Sequence, residues 1–312
     1  MLKIIRAGMS TTLQDAGRTG WRQYGVGVGG VLDHPAMETA NLLVGNARTS
    51  ALLEITLGQF CAEFTRDGWI ALTGAGCSAV LDNQPVWTGW RTAVKKGQRL
   101  TLKMPVRGMR SYLALDGGFA AIPMLGSCST DVKAGFGGFD GRRIEDGDNL
   151  PLGEPQHAFS KPAGVRQLLF GNRVRAMAGP EYHEFSPESR EVFWRTAWQL
   201  NPQSNRMGYR LQGRPLKRVA QREMLSHGLL PGVIQVPPNG QPIVLMADAQ
   251  TTGGYPRIAC VIEADLYHLA QLRLGEPIHF VHCSLEEALQ AKRDQQRALE
   301  QMAWGVEHES GS

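Results

Sequence analysis

The sequence lacks most of the short motifs that announce a chemistry. Its five cysteines (Cys61, Cys77, Cys128, Cys260, Cys283) are odd in number, far apart and without a CxxC pair. That argues against a disulfide frame or a zinc ribbon and for reduced thiols in a cytoplasmic protein. No stretch approaches the ~18 apolar residues of a membrane span. The opening MLKIIRAGMS has no apolar core or small-residue cleavage site of a secretory signal. Lys and Arg number 33 against 29 Asp and Glu, but the basic residues are scattered, so a nucleic-acid groove is not expected. GxxxxGK[ST], HExxH and GxSxG are all missing, which removes the usual support for a P-loop, a zinc protease or an α/β-hydrolase.

Glycine is abundant instead: 37 of 312 residues, about 12% against a usual ~7%. It is spread along the whole chain, which excludes a disordered Gly-rich tail and favours many tight turns between short strands. The length suits two domains of roughly 150 residues. LEITLGQFCAEF (53–64), WIALTGAG, SAVLDNQPVW, RLTLKMP and RSYLALDGG follow at barrel- or sandwich-like spacing. After a Pro/Gly-rich stretch (153–164), the runs RQLLF, RVRAMAG, GVIQVP, QPIVLMAD, RIACVIEA and PIHFVHC resume. The expected organisation is a β domain over 1–155, a linker at 156–164 and a second β domain over 165–290. Three helices interrupt the pattern. One spans 33–45, with Asp33 as cap, Pro35 in its first turn and Gly45 after it. One follows Ser186-Pro187. One covers about 285–304, opened by the Ser284/Glu287 capping box, ahead of a frayed EHESGS end.

Several motifs weaken on inspection. GAGCSA (74–79) fits the dinucleotide fingerprint, but VLDNQP follows where a helix should begin, so a β-turn is expected. AGFGGFDGR (134–142) could present amides to an anion, yet glycine-rich turns need no ligand. In HFVHC (279–283), His279 and Cys283 face one way on a strand and His282 the other, so no metal site is expected.

Two polar clusters stand out. TTLQDAGRTG (11–20) supplies Gln14, Asp15 and Arg18. The second cluster, over 204–257, supplies Asn205, Arg206 and Arg210, then Gln235, Asp248, Gln250, Thr251, Thr252 and Tyr255. Amides, hydroxyls and arginines beside glycines suit a polar small-molecule site, although Asn, Thr and Gly also simply close turns. The four-residue spacing of Arg206 and Arg210 puts both on one face of a helix or strand, aimed at one anion.

These stretches carry a resemblance. TTLQDAGRTG, LDHPAMETANLLVGN, LEITLG, LGSCSTD (125–131), GFGGFDGR, SNRMGYRL and DAQTTGGYPRIA appear in the order found in the allophanate hydrolase subunit 2 family, over about residues 3–290. That family contains carboxyltransferase-like domains of biotin-dependent urea carboxylase, the KipA regulators and the C subunits of bacterial 5-oxoprolinase. LLPGVIQVPPNGQPIVLM and its continuation look most like the last group. The resemblance implies a mainly β chain with a few helices, built as two cyclophilin-like β-barrel domains. It also implies two partners from the same enzyme, the B subunit held tightly and the A subunit needed for function. The implied reaction is 5-oxo-L-proline + ATP + 2 H2O → L-glutamate + ADP + phosphate, with ATP and Mg2+ belonging to the complex and this chain inactive alone. Asp15, Asp248 and Arg206 are the expected catalytic groups: Arg206 and Arg210 as anion donors, and Asp15 or Asp248 holding Mg2+ or orienting the lactam N–H. Gln14, Arg18, Asn205, Arg210, Gln235, Gln250, Thr251, Thr252 and Tyr255 are the expected substrate or phosphate contacts. Relatives commonly carry Arg at the position of Cys128. The chain has no biotin-carrier lysine motif and no ATP-grasp domain. A KipA-like regulatory role or a carboxyltransferase role remains as an alternative.

Overall fold

The computed structural model describes residues 1–220 and 223–310. It divides into two compact units: residues 1–18, 29–169 and 296–312 form the first, and 19–28 with 170–295 the second.

The first unit holds two six-stranded sheets. One contains Leu2–Arg6, Phe60–Phe64, Arg99–Leu102 and Ala79–Leu81; the other contains Ser10–Gln14, Leu52–Thr56, Arg107–Leu115, Gly68–Gly76 and Trp90–Val94. Alternation makes the core. In Phe60–Phe64 the residues Phe60, Ala62 and Phe64 are buried while Cys61 and Glu63 are not. They join Leu2, Ile4, Leu53, Ile55, Ile70, Leu72, Leu113 and Leu115 in one apolar cluster. The second sheet is covered on its other face too. Leu52, Ala71, Tyr112 and Ala114 pack with Ala36, Met37, Ala40 and Leu43 of the helix His34–Leu43. That helix starts as expected, with Asp33 Oδ1 accepting from Ala36 N at 2.9 Å. A buried network ties this start to the sheet. Tyr112 Oη accepts from Asp33 N at 3.0 Å and donates to Glu54 Oε2 at 2.9 Å. Burial, reinforced by the Glu54 charge, pushes the Tyr112 phenol well above its ordinary value.

Residues 156–164, expected as a linker, lie inside this unit. Ala163–Gly164 pairs with Trp90 and Arg91 as an edge strand. The buried Arg91 guanidinium lies 3.7 Å from the Phe159 ring centroid and donates to Lys161 O and Leu43 O. A segment that satisfies a buried arginine is a strap, and its Pro/Gly content serves its turns. Residues 166–170 form no strand; Gln167 Oε1 accepts from Gly74 N at 2.8 Å. GAGCSA is strand end and turn, with no helix, so the dinucleotide reading falls.

The second unit is a closed seven-stranded barrel. Its strands run in the order Arg173–Ala178, Arg257–Val261, Val233–Gln235, Ile243–Leu245, Gly208–Gln212, Trp198–Leu200, Pro277–His282, and the last closes on the first in parallel. Tyr209, Val244 and Ile234 are buried and mutually in register, one row of the barrel interior. Ser186 caps the helix Pro187–Arg195 through Ser189 N. The Ser284/Glu287 capping box is reciprocal, 2.7 and 3.1 Å, and opens the last helix. That helix runs Leu285–Ser310, past the expected end at 304 and through most of the stretch expected to fray; residues 311–312 lie outside the described ones. Among the described residues no helix is long and apolar enough to cross a membrane. The chain is mainly β with few helices, as the sequence indicates.

Candidate functional site

In the first unit, Asp15 follows the strand Ser10–Gln14 and anchors a loop. Its Oδ1 accepts from Ser127 Oγ and Ser129 Oγ, both at 2.6 Å, and from Gly17 N at 2.8 Å; its Oδ2 accepts from Cys128 N at 2.5 Å. Four donors on one buried carboxylate make Asp15 the knot that holds residues 127–129. Gln14 Nε2 donates to Thr12 Oγ1 and Thr130 O. Arg18 is 1% exposed, donates to Ser129 O and lies over the Phe136 ring at 4.5 Å. All three expected site residues of this cluster therefore brace the loops beside a cavity of about 480 Å³ lined mainly by apolar groups such as Phe119, Ile122, Phe136 and Phe139. The glycine-rich loop forms one wall for steric reasons. A Cβ on Gly138 would overlap Thr130 Oγ1, and one on Gly137 would overlap Ser129 O.

The second cluster gathers on the outer wall of the barrel. A cavity of about 610 Å³ is lined by Asn205, Arg210, Gln235, Gln250 and Tyr255 among the expected residues. The register explains the convergence. Ile243 pairs with Arg210 on one side and with Gln235 on the other. Directly paired residues point to the same face, so these three form one row on the wall opposite the buried Tyr209–Val244–Ile234 row. Gln235 is only 2% exposed because the 249–255 loop folds over it, and its Nε2 donates to Tyr255 O at 3.3 Å. Arg210 is exposed, and its guanidinium has no hydrogen bond or ion pair among the described residues.

The structure separates the two arginines expected to share an anion. Arg206 precedes the strand, which begins at Gly208, so the even-spacing rule does not apply to it. Its Nε and Nη2 donate to Asp248 Oδ2 and Oδ1 at 2.8 and 3.0 Å. Asp248 N in turn donates to Arg206 O, and Met246 N to Met207 O. The pair thus fastens the loop carrying Gln250 and Tyr255 to the turn before Gly208. Thr251 contributes its carbonyl to Leu229 N, and Thr252 belongs to a two-stranded ribbon with Gly228; neither lines the cavity.

Sequence reasoning missed Asn201, Gln203, Gln212, Asn239 and Gln241 in the cavity wall. The signal was the amide density of NPQSN and NGQP, which also reads as turn chemistry. Part of it is turn chemistry: Asn201, Asn205 and Asn239 accept from the backbone N–H two residues on. Gln241 clamps both backbone groups of Gly213 at 2.9 and 3.0 Å.

Neither carboxylate suits Mg2+. Asp15 is saturated by neutral donors, Asp248 is engaged by Arg206, and no group of three His, Cys, Asp or Glu converges among the described residues. His279, His282 and Cys283 do not converge either; His282 packs edge-on against Trp194.

The profile of the carboxyltransferase domain, subdomains A and B, matches residues 24–282. The chain is 65% identical to the 5-oxoprolinase C subunit of Escherichia coli (strain K12), over 99% of this chain and 100% of that one. It is 42% identical to the protein of the same name from Haemophilus influenzae, over 97% of each. The K. lactis urea amidolyase superposes with a TM-score of 0.89 at 29% identity, covering 96% of this chain but only 20% of that one.

Proposed function

The chain belongs to the carboxyltransferase family of subdomains A and B, and from that membership we propose that it is the C subunit of a 5-oxoprolinase. The observation that carries this reading is end-to-end likeness to two C subunits, where the urea amidolyase shares only a fifth of its length. The chemistry explains why such an enzyme needs several parts. A five-membered lactam is a resonance-stabilised amide and a poor electrophile. Transfer of the γ-phosphoryl group of ATP to the amide oxygen releases ADP and leaves an electrophilic imidate carbon. One water adds there, the ring C–N bond breaks and the amine takes a proton, leaving an acyl phosphate. A second water then releases phosphate and glutamate. Donors must surround the transferred group and the substrate carboxylate. This chain offers Arg210 and the neighbouring carboxamides. Its two candidate carboxylates are already engaged, so the A and B subunits complete the site, the latter as the tight partner and the former as the functional one, and the chain alone does not turn over.

The test is reconstitution with the A and B subunits, following glutamate and ADP formed from 5-oxoproline. Coupled formation of both by the three together, and none by this chain alone, is expected. A second reading, transfer of a carboxyl group, is favoured by the family's description and the urea amidolyase likeness. Carboxylation of an amide acceptor by the chain in the presence of carboxybiotin would support it over the first.

A further inference from the structure

We infer that the cavity on the barrel wall selects a small monoanion bearing a cis amide, with Arg210 taking the carboxylate and Gln235 with Gln250 reading the amide edge, and that the nucleotide is bound elsewhere in the complex. The inference rests on the 5-oxoprolinase reading for the identity of the ligand, and on the geometry of this chain for its placement.

Charge is the first argument. Among the described residues lining the cavity there is one cation, Arg210, and no Asp or Glu. A single guanidinium matches one carboxylate in a two-point contact. A nucleoside triphosphate carries about four negative charges and a divalent ion, and calls for several cations and at least one free carboxylate. The cavity supplies neither.

The carboxamides supply the second. Asn201, Asn205, Asn239 and Gln241 are occupied with backbone groups. Gln235 Nε2 also meets a backbone group, Tyr255 O at 3.3 Å, but Gln235 and Gln250 differ from the others in that they converge. A Cβ built on Gly253 would lie 3.3 Å from Gln235 Nε2 and 3.7 Å from Gln250 Nε2. Glycine at 253 keeps the space between the two amides open. A carboxamide presents a donor and an acceptor side by side, and a lactam, held cis by its ring, presents the complementary pair on one edge. Open-chain trans amides point the two groups apart and cannot make that contact.

Distance is the third. Arg210 and Gln235 flank Ile243 across three adjacent strands, so their Cα atoms are roughly 10 Å apart, two strand spacings. Both residues line the cavity together with Ile243, and two strand spacings between them, roughly 10 Å, leave room for a ligand of five-membered-ring size. The Arg206–Asp248 pair acts through the loop it fastens and positions Gln250.

The experiment uses the complex reconstituted with the A and B subunits and, separately, this full chain alone. In the complex, Arg210→Ala should raise KM for 5-oxoproline at least tenfold and leave KM for ATP within twofold. Arg210→Lys should fall between, and Gln235→Leu should raise the same KM. Unchanged KM for 5-oxoproline in Arg210→Ala and Gln235→Leu, or a raised KM for ATP instead, overturns the inference while leaving the 5-oxoprolinase reading intact. If the wild-type complex makes no glutamate, that reading fails. The cavity is then judged on the chain alone by ligand-observed NMR with 5-oxoproline, 2-pyrrolidinone, cyclopentanecarboxylate and Mg-ATP. Binding of 5-oxoproline in preference to the other three, lost in Gly253→Val, supports the inference. No preference, or preference for Mg-ATP, overturns it.

Discussion

Arg206 and Asp248 meet fork to fork, 42 residues apart in sequence, with two N–H···O bonds of 2.8 and 3.0 Å. Both side chains are mostly buried, at 18% and 11% exposed. Such a pair is costly to break from one side, because the partner charge is left without its counter-ion.

Arg206→Met should therefore destabilise the chain by about 1.5–3 kcal/mol, the range for a lost hydrogen bond to a charged group. The double change Arg206→Met with Asp248→Leu should recover part of the loss. Urea unfolding followed by tryptophan fluorescence measures both. A single variant as stable as wild type would show that the pair contributes nothing to the fold.

Asp15→Asn should loosen residues 127–129. An amide keeps the shape but turns a donor toward at least one of the four donors that now converge on the carboxylate. The expected cost is about 1–3 kcal/mol, with faster hydrogen exchange at Cys128 N. Ser129→Ala removes one of the four donors and the acceptor of Asp15 N but leaves the other three donors on the carboxylate, and should cost less. Equal exchange in Asp15→Asn and wild type would contradict the role of the knot.

Two glycines in one loop give a controlled contrast. Gly135 and Gly138 have φ of +70° and +54°, so both carry the left-handed penalty of about 1–2 kcal/mol when replaced by alanine. Only Gly138 adds a collision, with Thr130 Oγ1, where a Cβ on Gly135 meets nothing within 4 Å. Gly138→Ala should lower Tm clearly more than Gly135→Ala. Matching Tm values would place the whole effect in the backbone.

Glu181 provides the pH prediction. Burial alone would raise its carboxyl, but the Arg257 bonds, from Nε, Nη2 and the backbone N–H, outweigh this and hold it below the ordinary 4.5. A lowered folded value means stability that is present above about pH 4.5 and lost as pH falls through the folded value. Glu181→Gln should flatten the acid limb of stability against pH below that point and leave the neutral-to-alkaline slope alone. An unchanged acid limb would assign the acid sensitivity to other carboxylates.

The helix starts were legible because a capping oxygen acts at a fixed short offset: Asp33 to Ala36, Ser186 to Ser189, Ser284 to Glu287. Five of the seven barrel strands were legible as apolar runs, whereas the short Trp198–Leu200 and the polar Gly208–Gln212 were not. Ser10–Gln14 was not. STTLQ carries no apolar alternation, and its burial depends on partners remote in sequence, such as Thr130 O for Gln14 and Ser129 Oγ for Asp15 N. The site was legible in composition but not in pairing. Spacing placed Arg206 beside Arg210, whereas the strand boundary at Gly208 sends them to different surroundings. Residues 19–28 (TGWRQYGVGV) gave no sign that they belong with the barrel. Their attachment there includes Arg22 donating to Leu229 O, a contact no local pattern encodes.

The discontinuous first unit imposes a schedule on a chain made from its N-terminus. Val306 is buried among Val31, Leu43 and Val44, and Met302 Sδ accepts from Thr39 Oγ1. Residues 170–295 must be synthesised before that helical segment emerges. At about 5–20 residues per second, these 126 residues take roughly 6–25 s. Throughout that interval the nascent first unit carries an uncovered apolar strip beside Leu43, which is buried only when the final helix arrives.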